Sequence, residues 1–334
     1  MISCLRGAGI EVVERNEPVW EGTRDAWRAG PSTALRLARA EVRLLQRPRE
    51  RYEGVIVGYP GHFDLPAARW AARGAPVVFN PLVSIADTLV ADRARFRAGS
   101  LPARALTFVD RRALRAADVV VADTEQHARF LAELGGLDRV EVCFVGAEER
   151  VFQPGPPPPA FTHALFVGKL IPLHGLETIL EAARLAPELP FRVVGSGQLG
   201  GVLERRPANV EWVPWVEYEQ LAREHHAAGA ALGIFGGSDK AARVIPNKAF
   251  QALACGTPLV TADTPAAREL LVDGKSALLV PPGDAPALAE ALRRLASDDA
   301  LRARVAQEGL AAYRRCASEA VLGRRWRAIL ERAL

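Results

Sequence analysis

Arginine supplies 39 of the 43 basic side chains in this 334-residue chain, and only Lys169, Lys240, Lys248 and Lys275 are lysine. Two of these four stand where an anion could be held. Lys248 lies in VIPNKAFQALACGTPLV (244–260). There Pro246 presets φ for a helix start and Asn247 is expected as the N-cap. Ala249 to Ala254 continue a short helix, Gly256 can end it, and Pro258 stops it. The backbone N–H groups of residues 248–250 would lack intrahelical acceptors and so offer an anion site. Lys248 adds a formal charge to that site, and Gln251, on the same face, adds an amide. A lysine at a helix N-terminus opposes the dipole by ~0.3–1 kcal/mol, a penalty that a bound anion reverses. The plain alternative is a solvated structural lysine. Lys169 follows the strand ALFVG (164–168) directly, ahead of Gly175 and a helix with Leu176, Ile179, Leu180 and Ala183 on one face. Carboxyl ends of strands are where α/β domains bind ligands. Two cationic groups at such ends suit a diphosphate.

Other residues compete for attention. GSGQLG (195–200) fits G-x-G-x-x-G, with Glu217 about twenty residues on, which would suit a nicotinamide-dependent oxidoreductase. Those glycines follow the second strand of their domain rather than its first, which favours a tight turn instead. In the first half, GYPGHFD (58–64) follows a strand, and His62 is a candidate acceptor contact or base. FNPLVSIADTLVADR (79–93) follows the next strand, and Asn80, Ser84 and Arg93 could line a ligand site; Asn80 cannot act as a general base. His225 and His226 fall in a helical stretch and read as helix surface. No D-x-D occurs and no ligand spacing suggests a metal, so leaving-group charge would be met by side-chain cations and helix ends.

Composition sets the frame for these residues. Hydrophobic content of 49% and charged content of 25% describe a globular protein. A net charge of +4 implies no general nucleic-acid role. Cys4, Cys143, Cys255 and Cys316 are far apart and form neither a disulfide framework nor a metal pattern, which fits a reducing cytoplasm. No run approaches the ~18–20 apolar residues needed to span a bilayer. Arg36, Arg39, Arg43 and Arg47 form a stripe opposite Leu35, Ala38, Val42 and Leu45 in STALRLARAEVRLLQ (32–46). Such a stripe suits an anionic lipid surface, at ~1 kcal/mol per residue, or a phosphorylated acceptor; a solvated face is the alternative.

Short β-rich runs alternate with helical patterns, the signature of parallel α/β domains. The strand candidates are IEVVE (10–14), GVIVG (54–58), PVVF (76–79), DVVVA (118–122) and VEVCFV (140–145), then ALFVG, FRVVG (191–195), VEWVP (210–214), ALGIF (231–235), PLVTA (258–262) and ALLVP (277–281). FQPGPPPPA (152–160) between the two sets reads as a stiff linker. The expected organisation is an acceptor-side domain over 1–151, a linker over 152–162 and a donor-binding domain over 163–317. A C-terminal helix over 318–334 crosses back to the first domain. The chain opens on the helical ISCLRGAG, and doubly wound domains normally open on a strand, so the first domain is expected to lack its first strand. On that expectation the second domain still binds a nucleoside diphosphate, while the activity that needs the first domain is impaired.

From residue 140 to 295 the motifs resemble the retaining glycosyltransferases of family 4, with two Rossmann-like parallel-sheet domains facing a cleft (the GT-B type). That family reads G-[RK]-L-x-x-x-K-G, V-G-x-G, F-x-G-x-V, and E-x7-E running into E-A-M-A-C-G-x-P-V-V. Here these become GKLIPLHG (168–175), VGSG (194–197), WVPWV (212–216) and RVIPNKAFQALACGTPLV (243–260). The resemblance implies a donor diphosphate held by Gly168, Lys169, His174, Asn247, Lys248 and Ala249. It places Arg243 on the sugar, Gln251 on the ribose, and Pro214, Trp215 and Val216 around the nucleobase. Arg243 and Gln251 stand where the family has glutamates, and His174 where it has a lysine, which leaves the sugar open. The implied activity is metal-independent transfer with retention from a nucleotide sugar, UDP- or GDP-linked, to a glycan, lipid-linked or small-molecule acceptor. The departing diphosphate would help deprotonate that acceptor, with no cofactor. The expected location is cytoplasmic, with peripheral membrane contact through the arginine-rich first domain. A catalytically impaired nucleotide-sugar-binding protein is the alternative.

Overall fold

A computed structural model describes residues 1–17, 19, 31–46 and 50–334. The chain forms two compact units. The first comprises Ile2–Cys143 and Gly323–Leu334, and the second Phe144–Leu322 together with Met1. Residues 144–162, read from sequence as the end of the first domain and a linker, thus cluster with the second unit.

In the first unit, helices α1 (Ile2–Gly7) and α2 (Pro31–Leu44) precede strand β1 (Val55–Val57), α3 (Leu65–Ala72), β2 (Val77–Phe79), α4 (Leu101–Ala116), β3 (Val119–Ala122), α5 (Glu125–Gly135) and β4 (Glu141–Val142). The strands pair in parallel in the order β1-β2-β3-β4. Val77, Val78 and Phe79 are wholly buried, as the uninterrupted apolar run of an inner parallel strand requires. Leu65, Leu114 and Leu131, from three helices, pack into the same core.

Three expectations need correcting here. IEVVE (10–14) forms no strand: Val13 is 52% exposed, and Ile10 and Val12 on the other face are only half-buried, so neither face is fully covered as an inner strand requires. VEVCFV shortens to the two residues of β4. On α2 the stripe of Leu35, Val42 and Leu45 is exposed, while Ala40 turns inward. Arg47 lies outside the described residues.

The second unit comprises β5 (Ala164–Val167), α6 (Leu176–Leu185), β6 (Phe191–Val194), β7 (Val210–Val213), α7 (Leu221–Ala227), β8 (Ala230–Leu232), α8 (Asp239–Arg243), α9 (Asn247–Cys255), β9 (Leu259–Ala262), β10 (Leu278–Val280), α10 (Ala285–Ser297) and α11 (Asp299–Cys316). Helix α12 (Glu319–Ala333) starts in this unit and continues in the first. All six strands are parallel, in the order β10-β9-β8-β5-β6-β7. The chain therefore winds outward from β5 to β7, returns beside β5 at β8, and winds out the other way. The point where that order reverses, between β5 and β8, opens a crevice at the strands' carboxyl ends. Every residue of β5 and β9 is buried, and Phe166, Leu176, Ile179, Leu232 and Leu288 join one core.

Candidate functional site

The segments leaving β5 and β6 approach so closely that only glycine fits. Gly168, Gly195 and Gly197 have φ of 148°, 145° and 153°. A Cβ at Gly195 would fall 1.9 Å from the Gly168 carbonyl oxygen, and one at Gly197 would fall 2.8 Å from the Leu170 nitrogen. The Gly195 carbonyl also accepts the indole N–H of Trp212 at 2.9 Å. The G-x-G pattern is thus used to seat the loop after β6 on the loop after β5.

Against this pair of loops stands Lys248. It is 6% exposed, and its Nζ lies 3.7 Å from the centre of the Phe166 ring. A Cβ at Gly168 would fall 2.8 Å from that Nζ and 3.5 Å from the ring of His174. Among the described residues no hydrogen-bond partner meets the Lys248 Nζ. Burial alone lowers its pKa well below the ordinary 10.5. His174, also buried, donates from Nδ1 to the Lys169 carbonyl at 2.5 Å and sets its ring edge-on to Phe166. The Lys169 side chain is exposed. The fold therefore brings Gly168, His174 and Lys248 together, with Lys169 alongside in sequence.

The start of α9 differs from the expected one. Asn247 is its first helical residue, and the extended Pro246 (φ −72°, ψ 150°) occupies the cap position without a side-chain cap. The N–H of Ala249 donates to the Pro246 carbonyl at 2.9 Å, so that amide is already used. Asn247 is exposed, and Ala249 is buried against the core. Gln251, half-buried, follows Lys248 by three residues, and Arg243, half-buried, ends α8. Beyond the carboxyl end of β7, Pro214 is exposed and Trp215 is 53% exposed, its indole N–H donating to Glu217 at 2.9 Å. Val216, like Val213 and Leu221, packs against the cluster of Leu165, Val167, Val194 and Ala228.

In the first unit, His62 and Asn80 both lie at carboxyl ends of strands, and both are buried. His62 Nε2 donates to Asp110 Oδ1 at 3.1 Å, and Nδ1 faces the Pro60 carbonyl. Each ring nitrogen thus faces a protein oxygen. Asp110 also accepts from Ser84 Oγ at 2.6 Å and from the N–H groups of Ile85 and Ala86 at 2.9 and 3.0 Å. Burial pushes its carboxyl up, but the bonds from His62, Ser84, Ala86 and Ile85 outweigh this and hold it below the ordinary 3.8. Asn80 donates from Nδ2 to the Val121 carbonyl at 2.9 Å. A second pair, unread from sequence, sits where β3 meets α5: buried Asp123 and His127, 2.5 Å apart.

The His62–Asp110 geometry is that of an anchor for the loop 58–64. Asp110→Asn should cost about 2 kcal/mol of stability at neutral pH, the usual cost of spoiling a buried charge-assisted network. Because the folded carboxyl titrates below the unfolded one, its contribution is present above about pH 4 and lost as pH falls through the folded value. Wild type and variant should then converge in acid denaturation. An unchanged melting temperature with lost activity would instead assign the pair a chemical role.

The two units correspond to two family models. A "Glycosyl transferase 4-like domain" matches residues 4–148, and a "Glycosyl transferase-like" model matches 174–331. D-inositol 3-phosphate glycosyltransferase of Nocardioides sp. is 30% identical, over 84% of this chain and 70% of that protein. The chain spans 59% and 60% of two further proteins of that name. Among solved structures, sucrose-phosphate synthase from Thermosynechococcus elongatus superposes with a TM-score of 0.73 at 18% identity, over 91% of this chain and 82% of its own. Anabaena HepE, in complex with UDP and glucose, gives 0.67 at 16%, over 91% and 83%. The chain belongs to the family 4-type, two-domain glycosyltransferases with the GT-B fold.

Proposed function

We propose that this chain transfers a sugar from a nucleotide sugar to an acceptor, with retention and without a metal. The observation that carries the reading is the buried, unpartnered Nζ of Lys248 at the start of α9, beside the β5–β8 crevice. An anion at that spot would be met by the lysine, by His174 and by the helix end. Lys169 and Gly168 border the same place, Arg243 is assigned to the sugar, and Gln251 to the ribose. Trp215, with Pro214 and Val216, offers a face for the base; UDP is favoured by the UDP complex of Anabaena HepE. The acceptor is assigned to the first unit. The names of the relatives favour a phosphorylated small polyol, for which the arginines of the first unit are suited; a lipid-linked acceptor at an anionic membrane face would use Arg36, Arg39 and Arg43. No helix among the described residues is long and apolar enough to cross a membrane.

Metal independence rests on the absence of D-x-D and on the cations just named. Transfer should persist in excess EDTA, measured as sugar-dependent release of nucleoside diphosphate. Loss of activity on chelation, with recovery on adding manganese or magnesium, would defeat this part of the reading. The second reading, a chain that binds nucleotide sugars without turning them over, is favoured by His62 and Asn80, both of which are engaged in hydrogen bonds within the first unit. Mass-spectrometric detection of glycosylated product separates the two.

A further inference from the structure

Lys248 poses a problem that assigning it to a phosphate does not solve. An ammonium removed from water, without a hydrogen-bond partner or a counter-ion, is among the costliest groups a fold can contain. The ring of Phe166 offers it a quadrupole at 3.7 Å, worth ~2 kcal/mol when desolvated, well short of replacing hydration. The groups around it do not help. Gly168 brings only backbone, and the Pro172–His174 turn brings His174. Lys169 is exposed, and α8, packed on that turn, carries Asp239 beside Lys240 and Arg243. Among the described residues no carboxylate opposes the effect of burial, which lowers the pKa of Lys248.

We propose that Lys248 is an uncharged amine in the ligand-free protein and takes up one proton from solvent when a nucleoside diphosphate binds. The inference rests on the reading of this spot as the donor's diphosphate site. The amine Nζ gains a proton to become an ammonium, and the diphosphate arriving against it supplies the charge that pays for its desolvation. Donor affinity is then linked to pH in the alkaline range, where an arginine or an exposed lysine in the same role would leave it flat. Departure of the diphosphate after transfer returns the proton, so product release is favoured as pH rises.

The test is isothermal titration of the full chain with UDP, and separately GDP, at about pH 8.5. There the nucleotide phosphates (second pKa ≈ 6) and an ordinary histidine (≈ 6.5) are already deprotonated. Running each titration in phosphate and in Tris, buffers of different ionisation enthalpy, gives the protons exchanged per nucleotide. Wild type should take up ~1 proton, and its affinity should fall about tenfold per pH unit between about pH 8.5 and 10. Lys248→Arg, permanently charged, should bind with no uptake and no such slope. Lys248→Met should show no uptake and an affinity roughly ten- to hundredfold lower. Wild-type binding without uptake, or uptake that survives in Lys248→Arg, overturns the proposal and leaves the donor site standing. Failure of wild type to bind either nucleotide overturns the donor site itself.

Discussion

Lys248→Met should make the protein more stable and, at the same time, a weaker binder of nucleotide. Methionine follows the shape of the lysine stem and keeps contact with Phe166, while the orphaned Nζ disappears. Removing a buried polar group without a partner should raise stability by ~1–3 kcal/mol at neutral pH. The gain has a pH signature. The folded pKa of Lys248 lies well below the unfolded 10.5, so the unfolded chain binds the extra proton between those values and wild-type stability climbs with pH there. The advantage of the variant should shrink as pH rises toward about 10.5 and level off above it, where only the cost of the unpartnered neutral amine remains. Nucleoside-diphosphate affinity should fall roughly ten- to hundredfold, the loss of one charge-assisted contact of ~1.5–3 kcal/mol. Lys275→Ala is the control: its side chain is exposed and only loosely paired with Glu308 at 3.7 Å. Calorimetric unfolding with and without nucleotide measures both effects. A Lys248→Met protein that is less stable and binds as tightly as wild type would remove the lysine from the site.

Gly195→Ala should do more damage than any charge reversal in the second unit. Its Cβ would sit 1.9 Å from the Gly168 oxygen, on a backbone with φ of 145° that L-residues avoid. Relief requires the β6 loop to leave the β5 loop, breaking the Trp212–Gly195 bond and the seat beside Lys248. A cost of ~4 kcal/mol or more, together with loss of nucleotide binding, is expected. Gly201→Ala, a few residues on, meets nothing within 4 Å and should change stability by no more than ~0.5 kcal/mol. Equal melting temperatures for the two variants would show that the loops are not locked together.

The alternation of β-rich and helical runs was enough to recover the two parallel sheets, because that pattern is dictated locally by period and turn residues. Lys248 and Lys169 could be singled out for the same reason: each sits beside a readable strand end or helix start. What stayed hidden was tertiary. Nothing in VIPNKAFQALACG tells that Lys248 is buried, since its cover comes from Phe166 and Gly168, some eighty residues earlier. Asn247 outranks Pro246 as a cap by propensity, yet the extended backbone at Pro246 moves the helix start one residue earlier. IEVVE has the composition of a strand but no fully covered face. Asp110 was legible only as one acid among arginines. Its place on the buried line of α4 with Ala103, Ala113 and Leu114 was the signal that an acid there must be bonded.

The central claim, that the second unit holds a nucleoside diphosphate at the start of α9, is tested most directly by thermal unfolding of the full chain against UDP, GDP, ADP and dTDP, with NAD and NADP alongside. A ligand at a hundred times its Kd adds about 2.7 kcal/mol, which is readily seen as a rise in Tm. The account predicts such a rise with at least one nucleoside diphosphate, at most about half as large in Lys248→Met, and none with either nicotinamide dinucleotide. A rise with NAD or NADP and none with the four diphosphates would contradict it.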